Sequence, residues 1–254
     1  MGKIKQSVPW WCYENLGITP EDFVKMLTEI GYQGVEMFPP EHFHLAKDNG
    51  LQIVNTQAHV PLEVGLNKRE NLPDIEYQLK ERLGWCQQWH IPSLIVFSGN
   101  RDGQSDADGL DVTVENLKKL VPLAEAANVM LVLELLNSKV DHPDFMCDKT
   151  PWGVEVCRQV NSPNLKLLYD IYHMQIMEGD IISTINTYHE YIGHYHTAGV
   201  PGRNEIDHNQ ELNYAAILRA IAETGYEGFV GQEFIPKGDP KAGLEAAFYI
   251  CDIS

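Results

Sequence analysis

The feature that most constrains the fold is a regular alternation of short apolar runs with longer amphipathic segments. Apolar residues three and four positions apart predict helices between the runs, for example in residues 75–90, 111–128 and 179–192. Runs rich in apolar and β-branched residues predict eight strands, in residues 4–11, 34–38, 52–59, 93–100, 129–137, 165–173, 193–199 and 228–234. Near-continuous apolar strands of this kind are typical of parallel sheets that are covered on both faces.

The spacing of the units predicts a closed barrel. Eight units in 254 residues give about 32 residues each, the size of one unit of a (β/α)8 barrel. We therefore predict an α/β fold, a (β/α)8 TIM barrel, with a single domain over residues 1–254. A doubly wound open sheet is the alternative, but no GxGxxG motif follows the first strand.

The segment "TPEDFVKMLTEIG" shows how the helices are delimited. Thr19 can cap the helix, Pro20 suits its first turn, and apolar residues recur along one face until Gly31 ends it. The same order of helix, glycine and strand returns in residues 213–234, so the chain repeats its units internally.

Composition restricts the partners and the compartment. The 36 acidic residues outnumber 19 basic ones, and the net charge of −17 disfavours nucleic acid as a partner. No apolar segment is long enough for a signal peptide at the N-terminus or for a membrane span, so we expect no membrane partner. Five scattered cysteines without CxxC pairs favour reduced thiols and a cytoplasmic location. We expect a small-molecule substrate, a sugar or a hydroxy-keto acid, and a possible homo-oligomer.

Polar residues end four consecutive predicted strands. Glu134, Asp170, His196 and Glu233 follow one another at intervals of about one unit, and such barrels build their active sites at the carboxyl ends of the strands. Three carboxylates in a dry pocket need a cation, so we predict one divalent metal ion, Mn2+, Mg2+, Co2+ or Zn2+. No second cluster is evident in the sequence. Taken singly, each residue has a structural alternative, as a partner of Lys or Arg or as a helix cap.

Two residues after the strands are candidates for substrate binding. His173 lies three positions after Asp170, and its alternative is a surface histidine in a loop. Arg203 lies in the glycine-rich "GVPGRNE", where its guanidinium could bind an anionic or hydroxyl-rich substrate. The alternative for Arg203 is a salt bridge to Glu205 or Asp207.

Further residues are assigned by their position in the predicted strands. His59 and Glu36 end strands 3 and 2 and are expected to line the pocket as substrate-binding residues. His194 lies deeper in the barrel and is expected to be a core histidine. Trp10 and Trp11 could form an apolar wall of the barrel mouth, although packing in the core is the simpler explanation.

These motifs resemble the xylose-isomerase-like TIM-barrel superfamily, which includes hydroxypyruvate isomerases, ketose 3-epimerases, inosose-processing enzymes and endonuclease IV. The likeness is carried by "LVLELLN", "LLYDIYHMQ", "HYHTAGVPGRNE", "ELNY" and "GYEGFVGQEFIPKG" and is strongest to the hydroxypyruvate isomerase group. The resemblance implies that Glu134, Asp170, His196 and Glu233 bind the metal and that the two glutamates act as acid and base. It also implies that His173 and Arg203 hold substrate oxygens. His196 matches the epimerases, since the hydroxypyruvate isomerases carry glutamine at this strand 7 ligand.

The resemblance leads to a metal-dependent isomerase of a small hydroxy-carbonyl compound, acting by proton transfer through an enediolate. A ketose 3-epimerase or an inosose-processing enzyme is the alternative within the superfamily. An endonuclease IV-like phosphodiesterase needs three zinc ions and further histidines, whereas strand 4 ends in "VFSGN" and the loop after strand 7 reads "NEIDHNQE". A sugar-binding barrel without catalysis is a further alternative.

Overall fold

Eight strands form a closed barrel in chain order within residues 4–253, which are the residues that the computed structural model describes. The strands are β1 (Lys5–Pro9), β2 (Gly34–Glu36), β3 (Gln52–Gln57), β4 (Ser93–Val96), β5 (Met130–Glu134), β6 (Leu165–Asp170), β7 (Ile192–Thr197) and β8 (Phe229–Gln232). Neighbouring strands run parallel, as the register of β4 with β5 and of β1 with β8 shows. The predicted (β/α)8 barrel is thereby confirmed. Residues 1–3 and 254, which belong to the predicted domain, lie outside the described residues. Residues 1–3 also belong to the N-terminal segment in which we expect no signal peptide.

Helices follow the strands. They are α1 (Pro20–Ile30), α2 (Phe43–Asp48), α3 (Leu72–Trp89), α4 (Asp106–Ala127), α5 (Thr150–Val160), α6 (Ile171–Met177), α7 (Ile181–Tyr188), α8 (Tyr214–Glu223) and α9 (Pro240–Cys251). Helix α1 has the predicted ends, because the Thr19 hydroxyl accepts from the Asp22 N–H and Gly31 closes the helix with φ of 112°. The cap residues predicted from the sequence are therefore found at both ends of α1.

All eight strands end two to four residues earlier than predicted, and after two of them, β1 and β6, the residues expected in the strand are helical. After β1, residues Trp10–Cys12 form a 3-10 turn instead of extending the strand. After β6, the Asp170 side chain accepts from the His173 N–H and so caps α6, which turns the apolar "IYH" into helix. Both changes occur at the carboxyl end of a strand, where they set the direction of residues that the site uses.

The packing of the described chain divides into two compact units. The first comprises the described residues of Met1–Val54, Asp180–His189 and Tyr195–Ser254. In its core, Trp10 contacts Phe23 and Phe38 edge to face, with ring centroids 5.0 and 5.7 Å apart. Trp10 is thus a core residue, as the simpler expectation had it.

The second unit comprises Asn55–Gly179 and Glu190–His194. Its central strand β5 pairs with β4 on one side and with β6 on the other, and three consecutive β5 residues, Leu131, Val132 and Leu133, are fully buried. A strand that is covered on both faces must be apolar at every position, which is why it appears in the sequence as an unbroken run.

The five cysteines are buried free thiols. Burial raises the pKa of the Cys86, Cys157 and Cys251 thiols to about 12. Within residues 4–253, no helix has both the length and the apolar character that crossing a membrane requires.

Candidate active site

Four buried residues at the ends of β5 to β8 form a group that we call the four-ligand group: Glu134, Asp170, His196 and Glu233. Each offers one ligand atom, and these atoms all lie within 4.8 Å of one another. Glu134 and Asp170 are the last residues of their strands, and Glu233 directly follows β8. The structure therefore brings together the four residues that the strand-end pattern selected, while their role as metal ligands stays a prediction.

His196 is oriented by a buried carboxylate. Its Nε2 lies 2.8 Å from Glu36 Oε2, and the Ser7 hydroxyl donates to Glu36 Oε1 at 2.5 Å. Glu36 and His196 are completely buried. A carboxylate that accepts from one imidazole nitrogen fixes the ring and leaves the other nitrogen for a ligand. Glu36, which we predicted to bind substrate, has both oxygens engaged in this arrangement and is better placed to orient His196.

Glu233 is held by three side chains. Trp11 Nε1–H donates to Oε1 at 2.8 Å, Arg203 Nη2 donates to Oε2 at 2.6 Å, and His196 Nδ1 lies 3.0 Å from Oε2. These contacts determine the charge of the carboxyl group. Burial alone would raise the pKa of Glu233, but His196 and Arg203 hold it well below its usual value.

The charge of His196 is determined in the same way. Burial opposes protonation, yet the carboxylates of Glu233 and Glu36 on its two sides raise the pKa of His196 well above its ordinary value. The negative charge of the acidic side chains around this imidazole favours the binding of a cation. A cation is what this part of the molecule requires, whether it is a proton or a metal ion.

Arg203 lies in a turn with a fixed backbone. Its φ is 58°, its N–H donates to Gly199 O at 2.9 Å, and its carbonyl accepts from Ile235 N–H at 2.7 Å. Its guanidinium carbon lies 5.0 Å from the centroid of the Trp11 ring. Arg203 forms its ion pair with Glu233. The two acids of the alternative interpretation have other partners, since Glu205 accepts from the Lys237 and Gly238 N–H groups and Asp207 accepts from Asn209.

His173 is fully buried on the first turn of α6, so it is not the surface histidine of the alternative interpretation. The oxygen of the Asn137 amide accepts from the Val140 and Asp141 N–H groups, which directs its Nδ2 to His173 Nδ1 at 2.7 Å. His173 Nδ1 must then be the acceptor, and the proton of the neutral ring is on Nε2. Nε2 lies 3.7 Å from Asp170 Oδ2. Asn137, which belongs to the "LELLN" motif, is a site residue that was not predicted.

His59 is also completely buried after β3. Its Nε2 accepts from the Phe97 N–H at 3.1 Å, and among residues 4–253 no hydrogen-bond partner lies within reach of Nδ1. Burial lowers the pKa of His59 to about 4, partly opposed by Asp74. That His59 contacts the substrate stays a prediction. The group that would make this contact is the Nδ1–H.

A second group of possible ligands contradicts the expectation of a single cluster. Glu36, His194 and His196 also offer ligand atoms that all lie within 4.8 Å of one another. His194 is buried, and its Nε2 contacts Asn55 Nδ2 at 3.3 Å, as suits the core histidine that we predicted. The second group shares His196 with the four-ligand group.

The family relation follows from comparison of the whole chain. A family model described as a xylose isomerase-like TIM barrel matches residues 24–249. The chain belongs to this family. The resemblance stated from the sequence motifs is thereby confirmed.

Curated relatives of this xylose isomerase-like TIM barrel are named as isomerases. A putative hydroxypyruvate isomerase of Xenopus laevis is 33% identical over 171 residues, which cover 65% of this chain and 62% of the relative. A 2-oxo-tetronate isomerase of Cupriavidus necator is 36% identical over 131 residues, which cover 52% of this chain and 50% of the relative. The matched region thus spans between half and two thirds of these relatives.

Solved structures share the fold over nearly the full chain. A structure named AP endonuclease, family 2, from Brucella melitensis has a TM-score of 0.83 and 24% identity, covering 96% of this chain and 97% of that one. A D-psicose 3-epimerase from Clostridium cellulolyticum H10 has a TM-score of 0.77 and 19% identity, covering 98% of this chain and 100% of that one. At these identities the similarity concerns the barrel and does not distinguish between their activities.

Proposed function

We propose that this chain is a metal-dependent isomerase that moves a proton within a small hydroxy-carbonyl compound. The observation that carries the proposal is the four-ligand group, in which three carboxylates and one imidazole are buried with their ligand atoms within 4.8 Å of one another. Relatives named hydroxypyruvate isomerase and 2-oxo-tetronate isomerase support the reaction class.

The donor set fits one divalent cation. Carboxylate oxygens and one imidazole, whose Nδ1 proton the metal displaces, suit Mn2+, Mg2+, Co2+ or Zn2+, and these donors do not select among the four. The supporting contacts fit as well, because Glu36 holds His196 through Nε2 and directs Nδ1 towards Glu233. When bound, the metal would supply positive charge to the carbonyl and hydroxyl oxygens of the substrate.

The chain's own residues would carry the proton. One of Glu134 and Glu233 takes a proton from the carbon beside the carbonyl, and the other delivers one to the neighbouring carbon. The hydroxyl proton moves between the two oxygens, so the product is an isomer and no other reactant is needed. Arg203 and the Nε2–H of His173 are the donors that we assign to substrate oxygens, with His59 Nδ1–H as a further donor.

Hydroxypyruvate and a 2-oxo-tetronate are the first substrates to test, because both appear in the names of relatives. A ketose 3-epimerase or inosose-processing enzyme stays the alternative, favoured by the histidine at position 196. A 3-epimerase would use the same two glutamates as the isomerase, but it would return the proton to the carbon from which it was taken. The expected compartment is the cytoplasm, and the expected partner is the small substrate alone or a second copy of the chain.

The test combines metal analysis with turnover. Purified protein should contain one divalent ion per chain and, after chelation and reloading with Mn2+, convert at least one compound from a panel of hydroxypyruvate, tartronate semialdehyde, 2-oxo-tetronate, inososes and ketoses. Glu134→Gln and Glu233→Gln should each lower turnover by about 10² or more. Glu81→Gln, an exposed glutamate of α3, is the matched control and should keep wild-type turnover.

Isotope exchange tests the proton transfer itself. In D2O, deuterium should appear in the product at the carbon that gains hydrogen, as followed by NMR. Complete retention of a substrate-borne deuterium at every pH would favour a hydride shift and refute the assignment of the two glutamates. Two or three zinc ions per chain would instead support the nuclease alternative.

A further inference from the structure

Trp11 forms contacts that no part of the proposed reaction yet explains. It lies in the 3-10 turn directly after β1, between Trp10, which is buried, and Cys12. Unlike Trp10, it is only partly buried. Its indole N–H donates to Glu233 Oε1 at 2.8 Å, and its ring lies beneath the Arg203 guanidinium at 5.0 Å. Trp11 therefore contacts both members of the Arg203–Glu233 ion pair.

The two oxygens of Glu233 are thereby held by different partners. Oε2 accepts from Arg203 at 2.6 Å and faces His196, while Oε1 accepts from Trp11. A carboxylate that is held only at Oε2 can rotate about its terminal bond, since this torsion is broad in glutamate. The donor at Oε1 removes that freedom. An indole N–H suits this purpose because it donates without titrating and adds no charge beside the cation of Arg203.

The surroundings of Trp11 differ from those of the core residue Trp10. A tryptophan that only fills the core is surrounded by apolar groups, as Trp10 is by Phe23 and Phe38. The neighbours of Trp11 on this side are instead a carboxylate and a guanidinium. A flat ring against guanidinium is a favourable cation–π contact, and it restrains Arg203 in the orientation in which it donates to Glu233.

We infer that Trp11 is a positioning residue, which fixes the Glu233 carboxylate through its indole N–H and the Arg203 guanidinium through its ring. This inference rests on the proposed function, because it assigns to Glu233 the task for which it is held. Groups that orient a metal ligand or catalytic side chain typically contribute 10- to 100-fold in affinity or activity. The effect of Trp11 should therefore be visible in metal affinity and turnover, and not mainly in stability.

The contact is tested first without metal or substrate. The chain has five tryptophans, so 15N-indole labelling gives at most five side-chain N–H signals, and Trp11→Phe identifies that of Trp11. Glu233→Gln removes the charge of the acceptor and should shift the Trp11 signal upfield by more than any other indole signal. An unchanged Trp11 signal in a folded Glu233→Gln protein would show that the bond is absent in solution and overturn the inference.

The consequence is tested with Mn2+ as the probe, by calorimetric titration of chelator-treated protein. Trp11→Phe keeps an aromatic ring below Arg203 and removes only the N–H, and it should weaken Mn2+ binding by about 10- to 100-fold with little change in Tm. Turnover of an accepted substrate should fall in kcat more than it changes in KM, because the variant misplaces a reacting group.

Trp10→Phe is the matched control. It removes a neighbouring tryptophan from the core, and it should lower Tm while leaving Mn2+ affinity and kcat as in the wild type. If Trp11→Phe binds Mn2+ as tightly as the wild type, the inference is wrong and the proposed function stands. If the wild-type protein binds none of Mn2+, Mg2+, Co2+ and Zn2+, the proposed function is wrong and the inference is withdrawn with it.

Discussion

The buried imidazole of His59 makes the stability of the protein depend on pH in a calculable way. Folded His59 accepts a hydrogen bond from Phe97 N–H through Nε2, so the neutral ring is the form that the fold accommodates. Burial lowers its pKa from 6.5 to about 4, an effect partly opposed by Asp74. Protonation would place a charge in a fully buried position and deprive the Phe97 N–H of its acceptor.

Whether stability rises or falls with pH depends on which state, folded or unfolded, binds the proton of His59 more tightly. Between pH 6.5 and about 4, the unfolded chain binds a proton at His59 and the folded chain does not, so stability falls as the pH falls through this window. The contribution of His59 to the free energy of unfolding is fully present above about pH 6.5 and is lost below about pH 4. A difference of about 2.5 pH units corresponds to about 3 kcal/mol, of which about 2 kcal/mol is lost between about pH 7.5 and about pH 5.

His59→Gln isolates this contribution, because the glutamine oxygen can accept from Phe97 N–H and does not titrate. We expect the free energy of unfolding, measured by denaturant titration in the presence of chelator, to fall by about 2 kcal/mol less in His59→Gln than in the wild type over that range. His44→Gln, at an exposed position, controls for the loss of a histidine. Equal losses in His59→Gln and the wild type would refute the assignment of a low pKa to His59.

Three further substitutions test the site. Arg203→Lys keeps the charge and loses the planar fork, so we expect a raised KM or a kcat lowered by at least about tenfold with an unchanged Tm, and a large fall in Tm would show instead that Arg203 supports the fold. Glu36→Gln removes the carboxylate at His196 Nε2 and should weaken Mn2+ binding by about 10- to 100-fold in calorimetry, whereas unchanged affinity would contradict this orienting role. Gly231→Ala would place a Cβ 2.4 Å from Glu36 Oε1 and 2.7 Å from His196 Cδ2. It should cost about 1–3 kcal/mol in chemical unfolding and weaken Mn2+ binding, and wild-type values for both would refute the tight packing.

The barrel was predictable because its strands are buried on both faces, but their ends were not. An apolar run shows that a segment is buried and does not show its backbone conformation. Trp10 is as buried as a strand residue and nevertheless lies in a 3-10 turn. Ile171 and Tyr172 extend the apolar run of β6, yet they are helical because Asp170 caps the helix that begins there. A capping aspartate inside an apolar run was the signal that could have revealed the boundary.

The four-ligand group was predictable because barrel topology places consecutive strand ends around one opening. The residues that support it were not, because their contacts join distant parts of the chain. Trp11 and Glu233 are separated by 222 positions, and Ser7 and Glu36 by 29. Titrating side chains at strand ends are conspicuous in an apolar run, whereas a tryptophan N–H or a serine hydroxyl does not titrate and is not conspicuous there. Trp11 nevertheless lies two residues after the end of β1, so a polar donor near a strand end was the signal for it.

His196 also limits how many cations the site can hold. One of its nitrogens lies 2.8 Å from Glu36 and the other 3.0 Å from Glu233, so each nitrogen faces a different carboxylate. While Glu36 keeps its contact at Nε2, only Nδ1 is available to a cation, and Nδ1 faces the four-ligand group. A cation held by Glu36, His194 and His196 would require Glu36 to give up its contact with His196, on which the orientation of the ring depends. While this arrangement is intact, Glu36, His194 and His196 therefore do not supply a second metal site beside the four-ligand group. The Ser7–Glu36–His196 contacts thus fit the single metal ion of the proposed function, and loss of these contacts in Glu36→Gln should lower the affinity for that ion.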